Sequence, residues 1–339
     1  MRAPGFWNRN GLVPTLLTPA SWAWSTAARL RTATTTPERV SVPVICVGNL
    51  TAGGAGKTPT VLALLAMIAA RVQGSRPIAH ALTRGYGGTL SGPVRVDTVR
   101  HSAAEVGDEA LLLARAAPTW VAHDRVAGAL AAAATGARVV IMDDGFQNPT
   151  LTKDLSLVVV DGETGFGNRH VMPAGPLREP IKAGLKRADA IVIIGGDATG
   201  VAADIHATKP SLPILTAQLA PSSASPLQGQ RVFAFAGIGR PEKFFATLTA
   251  SGAAVVGQKA FPDHHPFTVD DIAVLEIAAQ ALNARLITTE KDYVRLDAIA
   301  QRNVTTLPVT LTFDDADALT ALIAPILAQA SVPLRASHG

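Results

Sequence analysis

Residues 47–59 read VGNLTAGGAGKTP, a glycine-rich loop that ends in Gly56, Lys57 and Thr58. The backbone N–H groups of such a loop converge on phosphate, and the N-terminus of the following helix adds positive potential. Gly53, Gly54 and Gly56 permit the close backbone approach, with Ala55 between them and Pro59 in the first helical turn. Lys57 is of the type that reaches terminal phosphates, and a hydroxyl such as that of Thr58 ligates Mg²⁺. The usual pattern asks for glycine where this chain has Thr51. That change alters the turn's entrance and leaves the cradle whole, so the loop predicts nucleotide binding. The position of the extra lysine of partition ATPases holds Ala52, and no N-K-x-D guanine-recognition sequence follows, so ATP is the expected nucleotide.

A second group of candidates lies in RVVIMDDGFQ at 138–147, an apolar run that ends in Asp143 and Asp144. A carboxylate at the C-terminal end of a strand, downstream of a phosphate loop, is placed to hold Mg²⁺. Asp108 precedes the apolar helical run 109–117 and reads either as its N-cap or as a proton acceptor. His264 and His265 are either a structural turn pair or a proton-handling group. Arg84, Tyr86, Arg178 and Glu179 sit among glycine and proline turns, where surface-loop chemistry competes with recognition of a phosphorylated sugar.

These residues need strands and helices to hold them. VPVICVG at 42–48, 76–83, 138–144 and 155–162 are short β-branched or apolar runs that read as strands, alternating with the Ala/Leu-rich runs 58–72 and 109–117 that read as helices. Alternation at this spacing implies an α/β fold with a parallel sheet. APSSASPLQGQ at 220–230 lacks apolar periodicity, and beyond it strand-like 231–237, 253–261 and 285–290 alternate with helix-like 241–252 and 268–282, the last opened by a capping box from Thr268 to Asp271. The expected organisation is a basic N-terminal segment at 1–40, a P-loop domain at 41–220, a linker at 221–230 and a smaller α/β domain at 231–339, with a cleft between the two domains.

Of the 339 residues, 48% are hydrophobic and 17% charged, which excludes a largely disordered chain. One cysteine, Cys46, permits no disulfide framework. In the first 40 residues Arg2, Arg9, Arg29, Arg31 and Arg39 face Glu38 alone, so this segment holds the formal excess of +4 and the remainder is balanced, with no nucleic-acid-binding stripe. Trp7, Trp22 and Trp24 lie there beside Leu12, Val13, Leu16 and Leu17. Tryptophan and arginine with short apolar runs suit an interfacial anchor, although a helix packed on the protein's own core has the same composition. Pro14 and Pro19 interrupt the apolar part and argue against a cleaved signal peptide, and no stretch is long enough to span a bilayer.

Taken together, GNLTAGGAGKTP at 48–59, RGYGG at 84–88, GDEALLLA at 107–114, DDGFQ at 143–147 and GPLREP at 175–180 resemble the tetraacyldisaccharide 4'-kinase family of lipid A biosynthesis. FAGIGRPEKFF at 235–245, FPDHHPF at 261–267 and TTEKDYVRL at 288–296 continue the resemblance through almost the whole chain. In that family threonine before the glycine pair is the normal spelling. The resemblance implies transfer of the ATP γ-phosphoryl group to the 4'-hydroxyl of a tetraacylated disaccharide 1-phosphate, at the cytoplasmic face of the inner membrane, with no obligate protein partner. It assigns Lys57 and Thr58 to phosphates and Mg²⁺, Asp143 and Asp144 to the metal, and Asp108 to the base with His264 assisting. Arg84, Tyr86, Gln147, Asn148, Arg178 and Glu179 fall on the side of the glycolipid headgroup. Asn148 and Pro149 depart from the histidine and basic residue that often follow DDGFQ, and asparagine carries no imidazolium charge.

Two other functions share parts of this pattern. A kinase or ligase for a different amphiphile keeps the GDE and DHH blocks, whereas a membrane-recruited ATPase switch needs only the loop and the acidic pair. TTEKDYVRL carries no assigned role at this level, with Lys291 placed either to contact nucleotide or to cap a strand.

Overall fold

A computed structural model describes residues 4–71, 77–222 and 227–331. The chain first forms β1 (Val44–Gly48), β2 (Ala79–Thr83), β3 (Val94–Arg95), β4 (Thr119–Val121), β5 (Val139–Asp143), β6 (Leu155–Asp161), β7 (Ala190–Ile194) and β8 (Ile214–Pro221). It then builds a second sheet from β9 (Arg231–Ala236), β10 (Ala254–Ala260), β11 (Arg285–Thr289) and β12 (Val304–Leu307), before β13 (Val309–Phe313) and the helix Ala316–Ser331. The larger sheet runs β13-β8-β7-β6-β1-β5-β2-β4-β3 and the smaller β10-β9-β11-β12. Only the edge pairs β3 with β4 and β13 with β8 are antiparallel among the described strands.

Alternation along the central strands explains the layers. In β1, Val44 and Cys46 enter one core while Ile45 and Val47 enter the other, and β5 splits the same way into Val140 with Met142 and Val139 with Ile141. A strand buried on both faces reads as a continuous apolar run, as VPVICVG does. The helix Lys57–Arg71 lays Val61, Leu64, Leu65 and Ile68 on the second core. In the small sheet Val232, Ala234 and Ala236 face the helix Pro241–Ala250, and Phe235 faces the helix Val269–Ala281, whose Thr268–Asp271 capping box forms as expected.

The domain division differs from the expected one at the C-terminus. The chain leaves the large sheet at the end of β8 and returns to it at β13, one residue after β12, and the two crossings are joined where Ser222 N–H donates to the Pro308 carbonyl at 2.9 Å. Leu311, Leu319, Ile323 and Ile326 then complete the core beneath the helix Lys57–Arg71. Sequence order misassigns this last unit because burial of its apolar face on a distant sheet outweighs proximity along the chain. The expected linker at 221–230 begins inside β8, and its residues 223–226 lie outside those described.

At the N-terminus the helix Leu12–Thr34 buries only Pro14, Ser21 and Ser25. It exposes Leu12, Leu16, Trp22, Trp24 and Leu30. Hydrogen bonds fix it to the 171–178 loop: Ser21 Oγ to the Val171 carbonyl at 2.6 Å and Trp24 Nε1 to the Arg178 carbonyl at 3.3 Å. No helix among the described residues is long and apolar enough to cross a membrane.

Candidate active site

The loop that follows β1 opens the helix Lys57–Arg71 at the C-terminal edge of the large sheet. Ligands of open α/β sheets bind at this edge. Gly56 lies at φ +90°, where a side chain is strained and its Cβ would meet Ile194 Cδ1. Thr51 forms an antiparallel bridge with Leu177, flanked by Ala52 N–H to the Pro176 carbonyl and Arg178 N–H to the Leu50 carbonyl, both at 2.7 Å. The loop's entrance is thus extended and paired, a setting that favours a β-branched residue over glycine. Lys57 folds back over the loop with Nζ 3.5 Å from the Gly53 carbonyl, and burial lowers its pKa.

β5 brings the two aspartates beside this loop, in unlike environments. Asp143 Oδ2 accepts the Thr58 hydroxyl at 3.0 Å, while its Oδ1 is buried without a hydrogen-bond partner. Burial pushes this carboxyl up to about 6. Asp144 leaves the strand at φ 52°, a left-handed turn that points its carboxylate at Arg178, whose Nη1 and Nη2 donate at 2.7 and 3.1 Å. Burial would raise Asp144, but Lys57 at 3.8 Å and Arg178 hold it below the usual carboxylate range.

Asp108 comes from a different loop, at the start of a helix that packs against the helix Lys57–Arg71. Gly107, not Asp108, occupies the N-cap of the helix Asp108–Ala114, and a Cβ on Gly107 would lie 2.6 Å from the Tyr86 carbonyl. The GDE and RGYGG loops are therefore in direct backbone contact. Asp108 Oδ1 accepts the Glu109 N–H at 3.0 Å, and Oδ2 faces the second sheet, 3.0 Å from His264 Nδ1 and 2.9 Å from Arg295 Nε. Burial of Asp108 acts upward, yet the His264 and Glu109 hydrogen bonds, with Lys291 and Arg295, hold the carboxyl far below its ordinary value. His265 points elsewhere: Nε2 lies 3.0 Å from Asp271 Oδ2 and the ring stacks on Phe261.

The expected headgroup residues are only partly free. Arg84 and Tyr86 are exposed, and the Tyr86 ring meets His264 edge-on at 5.7 Å. Arg178 is committed to Asp144, and Gln147 Nε2 donates to Glu179 Oε1 at 3.0 Å and to the Asn49 carbonyl at 2.9 Å. Glu179 is gripped by Arg187 at 2.5 Å. Asn148 Oδ1 is spent on the backbone N–H groups of Thr150 and Leu151 and on the Thr150 hydroxyl, a local turn that leaves only its amide nitrogen to donate outward.

A family model described as tetraacyldisaccharide-1-P 4'-kinase matches residues 13–328. The chain belongs to the tetraacyldisaccharide 4'-kinase family. It is 54% identical over 334 residues to the tetraacyldisaccharide 4'-kinase of Rhodospirillum centenum, covering 96% of this chain and 97% of that one. The relative of the same name from Paramagnetospirillum magneticum is 53% identical over 323 residues, with 95% and 98% covered. Among solved structures, LpxK from Aquifex aeolicus, crystallised in complex with ATP, superposes with a TM-score of 0.73 at 26% identity, covering 93% of this chain and 99% of that one.

In this member of the tetraacyldisaccharide 4'-kinase family, the site also includes residues that the motifs left without a settled role. Lys291 Nζ lies 2.7 Å from Glu109 Oε1 and 3.9 Å from Asp108 Oδ2. Burial pushes the Glu109 carboxyl up, and its Oε2 is buried without a partner. Asp108, Glu109 and His264 offer ligand atoms within 4.8 Å of one another, but Lys291 and Arg295 already supply the cluster's countercharge. Arg125, buried behind Asp124 at the start of the helix Arg125–Ala134, donates Nη1 to the Ala122 carbonyl and leaves Nε without a partner. An acid beside the GDE aspartate and cations in TTEKDYVRL were visible signals, though only the fold joins them.

Proposed function

We propose that this chain is the ATP-dependent kinase that phosphorylates the 4'-hydroxyl of tetraacyldisaccharide 1-phosphate in lipid A biosynthesis, at the cytoplasmic face of the inner membrane. The carrying observation is the Asp108–His264 pair held between two sheets, with Asp108 on a helix packed against the one that the phosphate loop opens. In transfer, the bond from the β,γ-bridging oxygen to the γ-phosphorus breaks and one from the 4'-oxygen forms. The loop N–H groups and Lys57 neutralise charge on the phosphates. The 4'-hydroxyl proton passes to Asp108, with His264 Nδ1 and Arg295 holding its carboxylate. Such a depressed carboxyl is a weak base, which suits a loose transition state in which the proton leaves late.

The Thr58 hydroxyl and the orphaned Asp143 Oδ1 suit Mg²⁺, a hard cation that takes oxygen ligands, with the neighbouring Asp144 carboxylate to balance charge. When bound, Mg²⁺ would neutralise the phosphates and orient the γ-phosphoryl group. Arg84 and Tyr86 are offered to the sugar phosphate. The exposed Leu12, Leu16 and Trp22 would bring the cleft to the lipid surface where the acyl chains lie. The test is γ-phosphate transfer from labelled Mg-ATP to purified tetraacyldisaccharide 1-phosphate. A labelled 4'-product is expected, and ATP hydrolysis that ignores the glycolipid would contradict this function.

A further inference from the structure

We infer that Arg295 is the positioning residue that aligns Asp108 with His264 across the two sheets, an inference that rests on assigning this pair to the acceptor hydroxyl. Asp108 belongs to a helix packed on the large sheet, and within that helix only Oδ1 finds a partner, the Glu109 N–H. Its Oδ2 is held from the second sheet. Arg295 is buried, with 6% of its side chain exposed, and spends its planar fork on three acceptors from different segments. Nε donates to Asp108 Oδ2 at 2.9 Å, and Nη1 donates to the Gly237 carbonyl at 3.0 Å and to Asp292 Oδ1 at 2.9 Å.

The Gly237 carbonyl is also what fixes His264. It accepts the His264 N–H at 3.0 Å, holding that residue at φ 58°, a left-handed conformation that costs a residue with a side chain some energy. Asp292, fully buried, closes the circuit: its Oδ1 accepts the Gly237 N–H at 3.1 Å and its Oδ2 accepts the Thr289 hydroxyl at 2.6 Å. One guanidinium therefore touches both the carboxylate of Asp108 and the carbonyl that orients the backbone of His264. A lysine has no fork and cannot span these acceptors, so the geometry calls for arginine. TTEKDYVRL thereby gains a role: Thr289, Asp292 and Arg295 form the arm that reaches from the small sheet to the catalytic carboxylate.

The experiment compares phosphoryl transfer to tetraacyldisaccharide 1-phosphate by wild type, Arg295→Ala, Arg295→Lys, Asp108→Ala and the Asp108→Ala/Arg295→Ala double variant, with thermal unfolding of each. Arg295→Ala should lower kcat about 100-fold while KM for Mg-ATP stays within about twofold, as expected for a misplaced reacting group. Millimolar guanidinium should restore kcat roughly tenfold, and the double variant should be no slower than Asp108→Ala. Wild-type kcat in Arg295→Ala overturns the inference, as does a loss that follows a lowered Tm and that guanidinium does not restore. Should Arg295→Ala fail to fold, Arg295→Lys decides: a reduced kcat at the wild-type Tm supports positioning, and a wild-type kcat overturns it. Full activity in Asp108→Ala would instead overturn the underlying assignment, which separates the two failures.

Discussion

The Thr58 hydroxyl donates to Asp143 Oδ2 at 3.0 Å, while the other oxygen of that carboxylate is buried without any partner. A carboxylate buried this way works against the stability of the protein that carries it. The folded Asp143 carboxyl is raised from 3.8 to about 6, so the folded state binds the proton more tightly than the unfolded one. Its contribution to stability is complete below about pH 4 and is lost as pH rises through about 6. In metal-free protein at pH 8, Asp143→Asn should therefore gain about 3 kcal/mol by the linkage relation and lose phosphoryl transfer. Thermal unfolding from pH 4 to 8 checks this. Wild type and variant with parallel Tm profiles would show that Asp143 is not the strained carboxylate.

The two neighbouring histidines should separate cleanly. His264→Ala removes the ring beside Asp108 and should lower kcat by about 10²-fold, the usual scale for a group that assists proton transfer, with little change in Tm. His265→Ala removes a ring stacked on Phe261 and bonded to Asp271, so Tm should fall while kcat stays within about threefold. Equal, mild losses of turnover in both would leave no catalytic role for His264.

Gly107→Ala tests how the GDE loop is held. The added Cβ would stand 2.6 Å from the Tyr86 carbonyl at φ +85°, so backbone must shift. A cost of about 1–3 kcal/mol is expected, together with a drop in kcat, because Asp108 is the next residue. Unchanged stability would mean that the RGYGG and GDE loops are not packed as described.

The placement of the glycine-rich loop beside Asp143 and Asp144 was legible because its signals are local: the glycine spacing, Lys57, Thr58 and a strand ending in Asp143 sit within short segments. The α/β alternation was legible for the same reason, since each central strand is a continuous apolar run. Arg295 was not, because nothing along the chain links it to Asp108; only the docking of the small sheet on the large one does. The return of β13 was hidden likewise, since Val309–Phe313 follows β12 after a single proline and reads as its continuation. Asn148 shows the opposite case, a residue expected at a headgroup whose carbonyl oxygen the fold uses to close a turn.

Membrane docking by the N-terminal helix is testable without truncation. Leu12, Leu16 and Trp22 are 83%, 78% and 69% exposed and hold no core in place. Replacing Leu12 and Leu16 by Glu removes about 1.5–3 kcal/mol of apolar burial each on a lipid surface, so vesicle partition should fall at least about 100-fold. Glycolipid turnover should fall with it, and basal ATP hydrolysis and Tm should not. Unchanged partition would remove the anchor.

The most direct measurement is transfer of labelled γ-phosphate from Mg-ATP to tetraacyldisaccharide 1-phosphate by wild type, Lys57→Ala and Asp108→Ala. The expected result is a 4'-phosphorylated lipid with wild type, none above background with Lys57→Ala, and a measurable rate at least about 10²-fold lower with Asp108→Ala, which still folds. Labelled lipid from Asp108→Ala at the wild-type rate, or none from wild type while ATP is hydrolysed, would contradict it.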